Sequence, residues 1–218
     1  MDHETLAARL GNIYWLAGGS GAGKSTLARK IAAQYNMRLY ATDDVMGDHH
    51  RRCDPQQCPN LTAFVNMDMD ERWLNRSPQV MLETFHWFRG EAFHLIVEDL
   101  LSLPTDQPVI AEGFRLLPAL VEPLLGLRSH AAWLIPTARF RRSALTSRGS
   151  LMDIAGKTSD PPRALENLLQ RDEMFTSVVE REAQKRNLPV IHVDETMTVE
   201  ESMARVVDLF ELDGNREI

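Results

Sequence analysis

The apolar residues of this chain fall into blocks of two kinds, and their alternation sets the fold class. Residues 12–17, 37–42, 108–111, 131–135 and 189–193 are short runs apolar on both faces, as strands are in a parallel sheet covered by helices. Between them, apolar positions return every three or four residues. Leu27, Ala28, Ile31 and Ala32 predict a helix over 24–35. Ser77 and Pro78 offer an N-cap with proline at the first helical position, and Met81, Phe85, Phe88, Ala92 and Leu95 predict one long amphipathic helix ending at Pro104. Thr137 can cap a helix running to 149, and Asp160-Pro161 opens another reaching about residue 187. Thr198 with Glu201 forms a capping box ahead of Val199, Met203, Val206 and Phe210. The polar stretch 150–159 reads as a mobile loop.

Strands alternating with helices predict an α/β fold, and the absence of a repeat or linker predicts a single domain over 1–218. Its two elaborations are a helical insertion at 44–107 and a lid region at 138–163. With 44% hydrophobic and 25% charged residues, the chain has globular rather than disordered composition. A net charge of −7 makes nucleic acid an improbable partner, so phosphate chemistry would rest on a local cluster of cations. No run approaches the roughly 20 apolar residues of a membrane helix, and the acidic start of the chain lacks a secretory or transit pattern. A cytoplasmic protein with no membrane partner is therefore expected, with Cys53 and Cys58 as free thiols. Oligomeric state leaves no mark on the sequence.

Gly18-Gly19-Ser20-Gly21-Ala22-Gly23-Lys24-Ser25-Thr26 matches G-x-x-x-x-G-K-[ST] and sits between the first strand and its helix, the context that motif requires. Residues Gly19 to Thr26 are thus the candidate nucleotide-binding loop. Backbone N–H groups of Gly19, Ser20, Gly21, Ala22 and Gly23 would turn toward an anion at a helix N-terminus, Lys24 would reach the β and γ phosphates, and Ser25 could take one position on Mg²⁺. A GTPase would also carry Asn-Lys-x-Asp, which is lacking, and Asp153-Ile154-Ala155-Gly156 fits D-x-x-G away from any strand end.

Carboxylates at strand ends are the next candidates, because ligands of open parallel sheets bind at the carboxyl rim. Asp43 and Asp44 follow the second strand, where one could accept a proton from an attacking hydroxyl and the other cap the next helix. Glu112 ends the third strand ahead of Gly113. It could orient a Mg²⁺-bound water, or pair with Arg115 or a lid arginine.

These elements resemble the P-loop small-molecule kinases, a class that includes adenylate, shikimate and gluconate kinases, chloramphenicol phosphotransferase and polynucleotide kinases. The resemblance rests on the glycine loop, Thr42-Asp43-Asp44, Ala111-Glu112-Gly113 and the arginine-rich helix after Ile135-Pro136. It implies a three-layer P-loop NTPase fold with strand order 2-3-1-4-5, and an arginine-bearing lid closing over ATP. It implies ATP and Mg²⁺ as cofactors, with transfer of the γ-phosphate to a hydroxyl or phosphate of a small molecule. Asp43 stands at the position of the base in polynucleotide kinases and chloramphenicol phosphotransferase, and Glu-Gly pairs in related kinases lie near metal or acceptor. Among Arg139, Arg141, Arg142 and Arg148, the resemblance puts Arg148 at the lid base and Arg142 nearer the adenine, as catalytic cations.

Acceptor contacts would then fall to Asp43, Asp44, Glu112, Arg115 and Arg52, the last in the His50-Arg51-Arg52 segment that could meet an anionic acceptor. Adjacent His49 and His50 cannot easily face one metal, which counts against zinc in the stretch 49–58. The Phe85 and Phe88 stripe reads as core rather than as a stacking platform. A second functional class shares the motif: a nucleotide-dependent switch or ATP-binding regulatory module with no small-molecule acceptor.

Overall fold

A computed structural model describes residues 3–148 and 150–214, and the side chains among them except those of 3 and 145–150. Five parallel strands, β1 (Ile13–Gly18), β2 (Arg38–Ala41), β3 (Val109–Glu112), β4 (Ala131–Pro136) and β5 (Val190–Val193), form one sheet in the order 2-3-1-4-5. Pairing of Leu16 with Glu112, and of Ala41 with Glu112, brings the carboxyl ends of β1, β2 and β3 level. That levelling is what lets residues distant in sequence meet at one rim.

Side chains alternate across the sheet. On one face Trp15, Ala17, Trp133 and Ile135 pack with Ile96 and Leu100 of α7 (Phe93–Ser102) and with Phe175 and Val179 of α11 (Pro161–Lys185). On the other, Tyr14, Leu16, Leu134 and Ile191 pack with Leu27 and Ile31 of α2 (Lys24–Gln34) and with Val206 and Phe210, in and just after α12 (Val199–Leu209). Burial on both faces explains why these strands carry no polar alternation. The capping box of α12 forms as its sequence demands, and Thr137 Oγ1 accepts from Phe140 N at the start of α9 (Ala138–Arg148).

Three expectations change. The long helix does not form: α6 (Pro78–Thr84) is capped by Ser77, a 3₁₀ turn follows at His86–Arg89, and α7 begins only after Ala92. Gly90 and Ala92 both have left-handed backbone (φ 78° and 60°), which no α-helix accommodates, so the apolar periodicity crosses a bend. Within the stretch expected as a loop lies a helix, α10 (Ser150–Ala155), whose Leu151 and Ala155 pack on Ala164 and Leu168 of α11. Cys53 and Cys58 are joined as a disulfide rather than free: the turn in which Asp54 O accepts from Gln57 N and Cys58 N brings their Cα atoms to 6.3 Å. Compartment arguments do not see such local geometry.

The rest of the insertion carries three helices, α3 (Met46–Arg52), α4 (Pro59–Val65) and α5 (Met69–Trp73); outside it, α1 (His3–Arg9) precedes β1 and α8 (Pro118–Val121) follows β3. No helix among the described residues is long and apolar enough to cross a membrane.

Candidate functional site

The loop from β1 to α2 is built by glycine backbone. Gly23, the residue before α2, has φ 84° and ψ 6°, a conformation a side chain resists, and no neighbour crowds its α-carbon. Lys24 is buried to 8% exposure and its Nζ donates to Gly19 O at 2.7 Å, folding the side chain back along the loop. Thr26 is exposed on the first turn of α2, its amide donating to Gly23 O, and does not line the cleft described next.

Ser20 to Ser25 form one end of a cleft of about 450 Å³. Asp43, just beyond β2, and Glu112, ending β3, line that same end. Glu112 is 3% exposed and accepts a hydrogen bond from the Ser25 hydroxyl. Burial raises the Glu112 pKa above its ordinary 4.5, opposed by the charge of Lys24. Asp43 is exposed and lines the cleft, yet the protein packed around it raises its pKa above 3.8; Lys24 and Arg115 oppose that rise. Gly113 must be glycine: with φ 147°, a Cβ there would lie 1.8 Å from Thr42 Oγ1, so the residue after Glu112 passes flush against the β2 end.

Asp44 has a different place from the one expected. It is exposed, does not line the cleft and does not cap α3, whose N-cap position is Val45 with no side-chain bond. Its amide instead closes a turn onto Ala41 O, and its charge adds to the rise in the Asp43 pKa.

The predicted arginines also part company. Arg52 faces away from the cleft, bridging Asp48, Glu98 and Asp99 at 3.1, 3.1 and 2.8 Å, because the carboxylates of α3 and α7 hold it on the outer surface. Arg115 is 2% exposed and acts behind the cleft: it donates to Thr42 O (3.3 Å) and His49 Nδ1 (2.9 Å), and its guanidinium lies 4.0 Å from the Trp87 ring centroid. Because arginine only donates, His49 Nδ1 accepts and Nε2 donates to Asp99 Oδ2 at 2.7 Å. Burial lowers the Arg115 pKa to about 10 and lowers that of His49, which favours this neutral tautomer. The chain Asp99–His49–Arg115 therefore pins the Thr42 backbone beside Asp43.

Arg142 is turned outward from α9 and held 3.8 Å from Glu166, and Arg139 and Arg141 are likewise engaged with Glu195 and Glu173. None of the three lines the cleft. Arg148 lies outside the described side chains.

Sequence reasoning missed the other half of the cleft. Phe64, Trp73, Phe85, Trp87, Phe88 and Phe114 line it, so Phe85 and Phe88 are cleft walls as well as core. Phe88 is anchored from behind by a parallel stack on Phe175, centroids 3.7 Å apart, and edge contacts link Phe88 to Phe85 (4.8 Å), Phe85 to Phe64 (5.5 Å) and Phe64 to Trp73 (5.2 Å). Arg171 of α11 closes this half. It is 6% exposed, its Nε and Nη2 donate to Asp172 Oδ1 at 2.9 and 2.6 Å, and its guanidinium sits 4.9–5.2 Å from the Trp73, Phe85 and Phe88 centroids. A run of aromatics and histidine, Phe85-His86-Trp87-Phe88, was the available signal, since four such consecutive residues cannot all face one side of a helix.

No protein-family model matches the chain, and no curated protein matches it. A crystal structure of an uncharacterized protein from Eubacterium ventriosum is similar at 14% identity over 91% of this chain and 97% of that chain, with a TM-score of 0.45.

Proposed function

We propose that the protein is an ATP-dependent phosphotransferase with a P-loop NTPase fold, moving the γ-phosphoryl group of ATP to a small-molecule acceptor. One observation carries the reading: the glycine loop with Lys24 and Ser25, and carboxylates from the ends of β2 and β3, line one end of a cleft whose other end is a walled pocket. A nucleotide switch needs the loop but has no use for such a pocket.

The roles follow from the chemistry of each group. Backbone N–H groups of Ser20 to Gly23 hold the phosphates, and the Lys24 ammonium offsets charge on the β and γ groups. The Ser25 hydroxyl and the Glu112 carboxylate, already hydrogen-bonded to each other, are hard oxygen donors that suit Mg²⁺, Glu112 through water. Magnesium, when bound, neutralises phosphate charge. Asp43 accepts the proton of the acceptor hydroxyl as its oxygen bonds to the γ phosphorus and the bond to the β-phosphate bridging oxygen breaks, leaving ADP.

The test is incubation with ATP, Mg²⁺ and a deproteinised metabolite extract. ADP should form one-for-one with a new phosphorylated compound found by mass spectrometry. ADP release indifferent to the extract would favour the switch, and absence of ATP binding would overturn the reading of the loop.

A further inference from the structure

The walls of the acceptor half select among acceptors by shape and by charge. Phe64, Trp73, Phe85, Trp87, Phe88 and Phe114 present ring faces and edges, and Phe88 is held rigid by its stack on Phe175. Such walls favour a flat apolar body and offer a polyol nothing to bond.

Charge narrows the class further. Among the described residues the cleft is lined by two cations, Lys24 and Arg171, and by three carboxylates, Asp43, Glu112 and Asp172. Lys24 belongs to the glycine loop, and Arg171 is matched by Asp172. An acceptor bearing its own phosphate would find no cation of its own beside three carboxylates. A cationic acceptor fares no better, because the Arg171 guanidinium already occupies the faces of Trp73, Phe85 and Phe88.

Two polar atoms break this apolar wall. Arg171 Nη1 and His86 Nδ1 are buried with no hydrogen-bond partner, and both residues line the cleft. His86 is 3% exposed, and burial lowers its pKa to about 3, so it is a neutral ring at physiological pH. Buried polar groups without partners are rare, and a cleft lining is where a ligand can supply the missing partner.

Resting on the phosphotransferase reading, we propose that the acceptor is an uncharged alcohol built on a planar ring, carrying a second polar group that meets Arg171 and His86. The ring lies among the aromatic side chains. Its hydroxyl reaches Asp43, to which the proton passes as the oxygen bonds to the γ phosphorus of ATP and ADP leaves. A carbonyl or ether oxygen at the far end accepts from Arg171 Nη1.

Trp73 and Trp87 line the cleft, whereas Trp15 and Trp133 are buried in the sheet, so tryptophan fluorescence reports on occupancy. With a non-hydrolysable ATP analogue and Mg²⁺ present, the protein is titrated with 4-acetylbenzyl alcohol, with the matching 4-acetylbenzyl phosphate and with glucose. The alcohol should quench saturably and bind at least about tenfold more tightly than the other two. Arg171→Lys, which keeps the charge against Asp172, and Phe85→Leu should each weaken it at least about fivefold, in variants whose melting curves show a folded protein. Equal or tighter binding of the phosphate or the sugar, absence of saturable quenching, or folded variants that bind like the parent would each overturn the acceptor class. ATP-analogue binding is measured separately on the same samples. Its absence would remove the phosphotransferase reading, whereas its presence with no preference for the alcohol would remove the acceptor class alone.

Discussion

At the residue scale, the cleft sets carboxylates against Lys24 of the glycine loop, and the energetic signs of the two can be separated. Lys24 is buried against the loop it serves. Lys24→Ala should abolish phosphoryl transfer and ATP-analogue binding while leaving the circular dichroism spectrum unchanged; a folded variant retaining most of its turnover would contradict the role given to it. Asp43 has the opposite relation to stability. Its folded pKa is raised above 3.8, chiefly by loss of water around it, so its charged form is the disfavoured one. Stability from such a group is full below the unfolded pKa and is lost as pH rises through the folded pKa. Asp43→Asn should therefore raise the melting temperature at neutral pH, with little effect near pH 3, while lowering turnover by at least about a hundredfold. Asp44→Asn, exposed and outside the cleft, should leave turnover within about threefold. A melting temperature for Asp43→Asn that falls at neutral pH would show that ion pairing with Lys24 and Arg115 outweighs the cost of burial.

At the element scale, α11 is the piece on which both halves of the molecule rest. Its Phe175 and Val179 face the sheet, Phe175 also stacks on Phe88, and Arg171, one turn earlier, closes the cleft. Phe175 is 1% exposed, so Phe175→Ala should cost about 3–5 kcal/mol in denaturant unfolding. It should also weaken quenching of Trp73 and Trp87 by cleft ligands, because Phe88 loses its backing. What could be read from sequence divides along the same line. The strands, α2, α11 and the capped α12 were legible because their apolar periods and caps are local signals, and the glycine loop because strand and helix flank it. Lys24 and Ser25 could be found because the glycine-loop motif fixes their place at the start of α2, and Asp43 and Glu112 because they stand at or just beyond strand ends. The bend at Gly90 and Ala92, the outward turn of Arg52 and Arg142, and the placing of Arg171 over three rings depend on tertiary packing. No spacing along the chain encodes those.

At the scale of the whole molecule, the insertion is tied to the sheet through α11. Asn167 Nδ2 donates to Trp73 O and Leu74 O at 3.3 and 3.1 Å, and Asp70 accepts from Ser159 N and Oγ just ahead of α11. Trp73, Leu74 and Met81 share a buried cluster with Leu151, Ala155, Ala164 and Leu168. An opening that freed the insertion would expose this cluster and strip Phe175 of its partner Phe88. The insertion and the sheet should therefore unfold together. The tryptophans allow a direct test, two in the sheet (Trp15, Trp133) and two in the insertion (Trp73, Trp87). In Trp73→Phe/Trp87→Phe, fluorescence follows the sheet; in Trp15→Phe/Trp133→Phe, it follows the insertion. Within each variant the fluorescence midpoint in urea should coincide with the midpoint from far-ultraviolet circular dichroism. If the insertion pair instead reported an earlier transition than dichroism while the sheet pair reported a later one, the aromatic half of the cleft would be a separately melting unit. The walls of the cleft would then form only when an acceptor holds them.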